Sequence, residues 1–210
     1  MKKYRSYIFN LIFYFVFLLG IHTNTYAIYY NTFYTHDSLS NLYILNNSTL
    51  TASKIGATSI SGISDIAFYG SKLYGITSTS FLSINPNTGI GTFIGSTGYT
   101  DLNALEISRD GTIYSAGFDT GNFVRINPTT GKASLIGYYG TGLTSSGDLA
   151  FGPNGILYAT LKRNGYTNDW LATVNLSTGG ATLIGDIGFT NVYGLSFRGE
   201  NLYGVTENGE

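Results

Sequence analysis

Leu73-Tyr74 … Phe81-Leu82-Ser83-Ile84-Asn85-Pro86-Asn87-Thr88-Gly89 … Phe93-Ile94-Gly95 is the stretch on which the fold turns. It returns as Ile113-Tyr114 … Val124-Arg125-Ile126-Asn127-Pro128-Thr129-Thr130-Gly131 … Leu135-Ile136-Gly137. It returns again as Leu157-Tyr158 … Thr173-Val174-Asn175-Leu176-Ser177-Thr178-Gly179 … Leu183-Ile184-Gly185. Partial copies flank these units. Leu42-Tyr43-Ile44-Leu45-Asn46 … Lys54-Ile55-Gly56 reads as a rear half, and Leu195-Ser196-Phe197 … Leu202-Tyr203-Gly204-Val205 as a front half. The closing glycine falls at Gly56, Gly95, Gly137 and Gly185, at spacings of 39, 42 and 48. Periods of this size belong to propeller blades or helical arrays, and the local pattern decides between them.

Each unit reads as four short strands. Strand a is Asp65–Phe68, Ala104–Ile107, Asp148–Phe151 or Gly194–Phe197. Strand b carries the Leu/Ile-Tyr pair, strand c ends at Asn, and strand d ends in Ile-Gly. The Asn-Pro-x-Thr-Gly turn joins c to d, with Pro fixing one turn position and Gly supplying positive φ. Runs of four to six residues between Gly, Pro and Asn are strands, and no helical period appears after the first 27 residues. The expected fold is all-β, a propeller of four-stranded antiparallel blades. A lone blade cannot bury both apolar faces, so blades stack around an axis.

The ends of the repeat array leave two readings. Strands a and b of the last unit pair with strands c and d of the first, closing a ring of four blades, or the sequence is part of a larger propeller.

Composition agrees with the β reading and excludes several functions. The chain has 210 residues, 28 Gly, 18 Tyr, 13 Phe and no Cys, and charged residues are 11%. With 11 Lys+Arg against 12 Asp+Glu there is no cationic surplus to neutralise a phosphate backbone, so no nucleic-acid partner is expected. Without Cys, thiol catalysis and thiolate metal sites are excluded. No GxGxxG, Walker loop or HExxH occurs.

Residues 1–27 read as a secretory signal peptide. Lys2, Lys3 and Arg5 precede the apolar stretch Ile8 to Gly20, and Thr25-Tyr26-Ala27 offers a cleavage site. The stretch is too short to span a membrane. Residues 28–210 would then form an exported propeller domain, secreted, periplasmic or at the cell surface, with no membrane span after signal removal. An exported chain without Cys suits a bacterial source.

The Leu-Tyr … Ile-Asn-Pro-x-Thr-Gly … Ile-Gly unit resembles the repeats of secreted bacterial propeller proteins of unknown function. It is distantly similar to YVTN, NHL and quinoprotein-type repeats. The resemblance covers about residues 41–206 and implies the fold. Because propellers host many activities, it implies little about chemistry. It also implies a hydrophobic anchoring tail, and no apolar run of that kind occurs up to Glu210.

Function is expected where the repeat is broken. The b–c and d–a loops share one face of a propeller, and the irregular loops fall there. One holds Tyr166, Asp169 and Trp170, the only Trp, and another holds Tyr138 and Tyr139. Aromatic rings beside Asn and Asp suit a ligand with an apolar face and hydroxyl rims, such as a glycan. These five residues are the candidate ligand contacts. An extracellular protein is the other candidate partner.

Asp65 and Asp148 share one repeat position beside the channel, with Glu106 nearby. These three carboxylates are the candidate metal or acid–base set of an alternative reading, a metal-assisted lyase or lactonase. Two Asp without further ligands make a thin Ca²⁺ site, so no cofactor is expected. An Asp at a strand start also bonds backbone amides. His36, outside the regular pattern, reads as a surface or hairpin residue. The favoured function is a binding or surface-structural module. A third reading is a non-functional fragment of a larger propeller.

Overall fold

The computed structural model describes residues 14–16, 32–46, 49 and 51–207. Every regular element among them is a strand. The first sheet is β1 (Tyr14–Val16), β2 (Thr32–His36), β3 (Asn41–Asn46) and β4 (Thr51–Ala57), in that order. The second is β5 (Ile63–Tyr69), β6 (Lys72–Thr77), β7 (Ser80–Ile84) and β8 (Gly91–Ser96). The third is β9 (Leu102–Ile107), β10 (Ile113–Gly117), β11 (Asn122–Ile126) and β12 (Ala133–Tyr138). The fourth is β13 (Leu143–Phe151), β14 (Leu157–Arg163), β15 (Trp170–Val174) and β16 (Ala181–Asp186). A two-stranded sheet, β17 (Val192–Arg198) with β18 (Asn201–Thr206), follows.

All pairings are antiparallel, and each sheet is a meander. This is a β-propeller of four blades, with the front half of a further blade after them. The first strands β1, β5, β9, β13 and β17 neighbour one another around the axis, and β1 touches both β5 and β17.

The core lies between blades, as the repeat requires. Tyr74, Ile76 and Phe81 of the second blade pack with Leu105, Ile113 and Val124 of the third. Tyr114, Ala116 and Phe123 of the third pack with Leu157, Ala159 and Ala172 of the fourth. The motif Tyr stacks on the strand-c Phe within its own blade, with ring centroids 5.2 Å apart for Tyr74–Phe81 and 5.4 Å for Tyr114–Phe123. Offset stacks of this kind add about 1 kcal/mol to the area they bury.

The c–d turn is held by its Asn. Asn127 Oδ1 accepts from the amides of Thr129 (2.9 Å) and Thr130 (3.1 Å), and its carbonyl accepts from Gly131. Asn85 and Asn175 do the same. The turn glycine has φ of 78°, 72° and 75° at Gly89, Gly131 and Gly179, a region that L-residues avoid.

The structure corrects the expected start of the array. The first unit is not a rear half. β2 occupies strand b of that blade and pairs with β3, so β18 does not close a composite blade there. Phe33 and Tyr34 oppose Leu45 and Ile44 as Leu73 and Tyr74 oppose Ile84 and Ser83. Phe33-Tyr34 is therefore a diverged Leu-Tyr pair. His36 stands where Ile76 and Ala116 stand in their blades, and it is fully buried rather than at the surface. Burial drives its pKa down to about 4. Tyr14–Val16, inside the segment read as a signal peptide, pairs with β2. The rest of that segment lies outside the described residues.

Candidate functional site

The carboxylates at the channel act between blades. Asp65 Oδ2 accepts the Leu105 amide of the next blade at 2.6 Å, and its Oδ1 accepts Ile66 N–H at 2.7 Å. Asp148 repeats this, with Oδ2 on the Leu195 amide at 2.5 Å and Oδ1 on Leu149 at 2.6 Å. The third blade has Ala104 at that position. Two residues on, Glu106 Oε1 takes the Phe151 amide of the fourth blade at 3.0 Å. Each junction from β5 to β17 thus carries one carboxylate latch.

Burial pushes Asp65 and Asp148 well above the usual carboxylate range, and the charge of Glu106 raises both further. Burial raises Glu106 to about 7. Their oxygens are committed to backbone amides. Among the described residues no group of three His, Asp or Glu is placed to hold a metal ion.

One residue nearer the loop face lies a different ring. Ladder registers slip at β5, β9, β13 and β17 there, so that Ser64, Asn103 and Tyr193 are skipped in pairing, as is the stretch 146–148 of β13. An extra residue in one strand bends it and re-aims the side chain, a device common beside binding sites. Ser64, Asn103, Ser146, Gly147 and Tyr193, with Ser145, Lys162 and Phe118, line a cavity of about 330 Å³ at the mouth of the channel.

The chemistry of that lining is polar and balanced. Asn103 Oδ1 and Ser145 Oγ are buried without a hydrogen-bond partner among the described residues. Lys162 Nζ lies 2.6 Å from Asp169 Oδ1 and donates to Asn191 Oδ1 at 2.8 Å, so its charge is neutralised in place. Asp169 is fully buried and also accepts from Ser146 Oγ (2.5 Å) and Val192 N–H (2.7 Å). Phe118 and Tyr193 supply the apolar surfaces.

The structure separates the five residues singled out in the sequence. Asp169 belongs to the cavity's support through Lys162. Tyr166 and Trp170 form an edge-on pair, centroids 5.2 Å apart, on the long loop of the fourth blade. The Arg163 guanidinium sits 4.3 Å from one ring and 4.4 Å from the other. Tyr138 is exposed, whereas Tyr139 is buried against Phe123 in the core between the third and fourth blades.

Sequence reasoning missed Ser64, Asn103, Ser145, Lys162 and Tyr193. A signal existed. Ser64, Asn103, Gly147 and Tyr193 each precede the strand-a position of Asp65, Ala104, Asp148 and Gly194. That one repeat position holds a different residue in each of these four units.

No protein-family model matches the sequence, and no curated protein sequence is similar to it. Solved structures do match. A Bacteroides thetaiotaomicron protein of unknown function is 17% identical with a TM-score of 0.63, covering 85% of this chain and 55% of that one. The calcium-binding protein regucalcin from Agrobacterium tumefaciens is 14% identical with a TM-score of 0.58, covering 85% and 65%. The extracellular domain of a one-component system from B. thetaiotaomicron is 16% identical with a TM-score of 0.52, covering 86% and 26%. In each case the chain spans less than two thirds of the matched structure's length. Among the described residues no helix is long and apolar enough to cross a membrane. At these identities the likeness establishes the β-propeller fold and nothing finer.

Proposed function

We propose that this propeller is an extracellular binding module that takes a neutral, hydroxyl-rich ligand of sugar size in the cavity at its channel mouth. The observation that carries the reading is the ring of bulged residues around a cavity whose Asn103 Oδ1 and Ser145 Oγ lack partners. A buried polar atom left unpaired costs about 1–3 kcal/mol, which a ligand hydroxyl recovers. The cavity sits at the lower end of the usual range for small-molecule sites, about 300–1,000 Å³. Its one cation is already paired, which disfavours an anionic ligand.

The carboxylate reading has less support. Asp65, Asp148 and Glu106 spend their oxygens on the blades' own amides. A lyase or lactonase would have to release those latches to use them.

Titration calorimetry with neutral mono- and disaccharides tests the reading, with charged sugar acids and amino sugars as counterparts. A neutral sugar is expected to bind. Asn103→Leu is expected to weaken it roughly tenfold or more, the loss of about one good polar contact. Trp170→Ala, on the rim stack, should change affinity little. Binding confined to charged sugars, or unaffected by Asn103→Leu, would sink the proposal.

A further inference from the structure

Asn-Gly occurs among the described residues as Asn154-Gly155 and as Asn164-Gly165, and a further copy at 208–209 lies outside them. The pair is chemically special. Glycine has no side chain to shield its nitrogen, so that nitrogen can reach the carboxamide carbon of the Asn before it. Closing a ring between neighbours in the chain needs no second molecule, and such reactions gain greatly from proximity. Both Asn residues are exposed, so access to water does not separate the two sites. Hydrogen bonding does.

At the a–b turn of the fourth blade both reacting groups are held. Gly155 N–H donates to Gly152 O at 2.9 Å, and Asn154 Oδ1 accepts Ile156 N–H at 3.1 Å. On the long b–c loop of the same blade both are free. Among the described residues neither Gly165 N–H nor the Asn164 carboxamide has a hydrogen-bond partner. Only the backbone on either side is tied. Asn164 N–H donates to Gly142 O at 2.9 Å, and Tyr166 N–H donates to Arg163 O at 3.1 Å.

We propose that Asn164 is a site of spontaneous covalent modification, converted through a succinimide to aspartate and isoaspartate. The Gly165 nitrogen loses its proton and attacks Asn164 Cγ. The new N–C bond forms as the Cγ–Nδ2 bond breaks, and ammonia leaves. Water then opens the ring at either carbonyl. One opening leaves an aspartate, and the other an isoaspartate, whose backbone is longer by one carbon. No oxidant or cofactor takes part. The consequence falls on the aromatic stack. The added carbon lies inside the turn that Tyr166 N–H closes on Arg163 O. That bond then opens, and Tyr166 leaves the Arg163 guanidinium and the Trp170 ring it packs against.

The test is peptide mapping by mass spectrometry of the full chain aged at pH 8, with chain unfolded in guanidinium chloride aged alongside. In the fold, Asn164 is expected to convert roughly tenfold or more faster than Asn154, whose turn must first release its two hydrogen bonds. In guanidinium the two sites are expected to convert at similar rates. Emission of Trp170, the only Trp, is expected to shift as Asn164 converts. Asn164→Gln, whose longer side chain closes only a slower six-membered ring, is expected to keep both that peptide's mass and the emission constant. Four results would each overturn the proposal. They are Asn154 converting as fast as Asn164 in the fold, Asn164 intact in the fold while it converts in guanidinium, emission unmoved by conversion, and an emission shift that persists in Asn164→Gln.

Discussion

Gly95→Ala and Gly137→Ala are expected to destabilise the protein by ~3 kcal/mol or more each, while Gly185→Ala is neutral or stabilises by up to ~1 kcal/mol. All three are the same residue of the same Ile-Gly motif, so propensity and strand position cancel in the comparison. The difference lies in what stands opposite. At Gly95 and Gly137 the added methyl carbon would lie 1.9 Å from a backbone carbonyl oxygen, and a backbone atom cannot rotate away as a side-chain end can. Blades must separate to admit it. Gly has more conformational freedom than Ala in the unfolded chain, so Ala favours folding by about 0.4–1 kcal/mol, and this term is all that remains at Gly185, where a Cβ meets nothing within 4 Å. Urea unfolding of the three variants at constant m-value makes the comparison. Equal losses at all three sites would show that the glycines serve strand geometry and not blade contact.

Glu106→Gln is expected to stabilise the protein by about 3 kcal/mol at pH 8 and by less than about 1 kcal/mol at pH 5. Burial raises Glu106 to about 7, so the folded state binds this proton more tightly than the unfolded state does. Its favourable contribution is whole below the ordinary value of 4.5 and is lost as pH rises through about 7. Asp65 and Asp148, raised by burial and by nearby carboxylates, act in the same direction. His36 acts in the opposite sense. Its pKa falls from 6.5 to about 4, so the unfolded state holds the extra proton and acid below 6.5 favours unfolding. Above 6.5 only the carboxylates contribute a slope, and stability should decline towards pH 8. Gln can keep the bond from the Phe151 amide while removing the charge. Unfolding midpoints of wild type and Glu106→Gln at pH 5 and 8 decide it. A variant weaker than wild type at pH 8 would mean that Glu106 is ionised in the fold at no cost.

Most of the fold was legible because the repeat states it several times. One copy of Ile-Asn-Pro-x-Thr-Gly is a turn, but three copies at near-constant spacing are a blade array. The first blade escaped because its markers had drifted. Phe33-Tyr34 replaces Leu-Tyr, and the first blade's turn has Leu50 where the others have Gly. His36 concealed a core position, since a buried neutral His looks polar in a sequence.

The site was harder to read. Large aromatic residues draw attention, but Tyr139 went to the core, and Tyr166 and Trp170 bracket Arg163. The cavity instead rests on small residues made special by a one-residue bulge. A bulge changes which face a residue presents without changing its type, so nothing in the composition of Ser64 or Asn103 announces it. Asp65 and Asp148 did stand out, and their conspicuous acidity serves blade-to-blade hydrogen bonds.

The most direct test of the binding function is a map of amide chemical-shift changes on the ¹⁵N-labelled protein titrated with the tightest-binding neutral sugar. The account predicts saturable changes centred on Ser64, Asn103, Ser145 and Tyr193, at the four bulges around the channel mouth. Changes centred on Tyr166 and Trp170, or no saturable change with any neutral sugar, would contradict it.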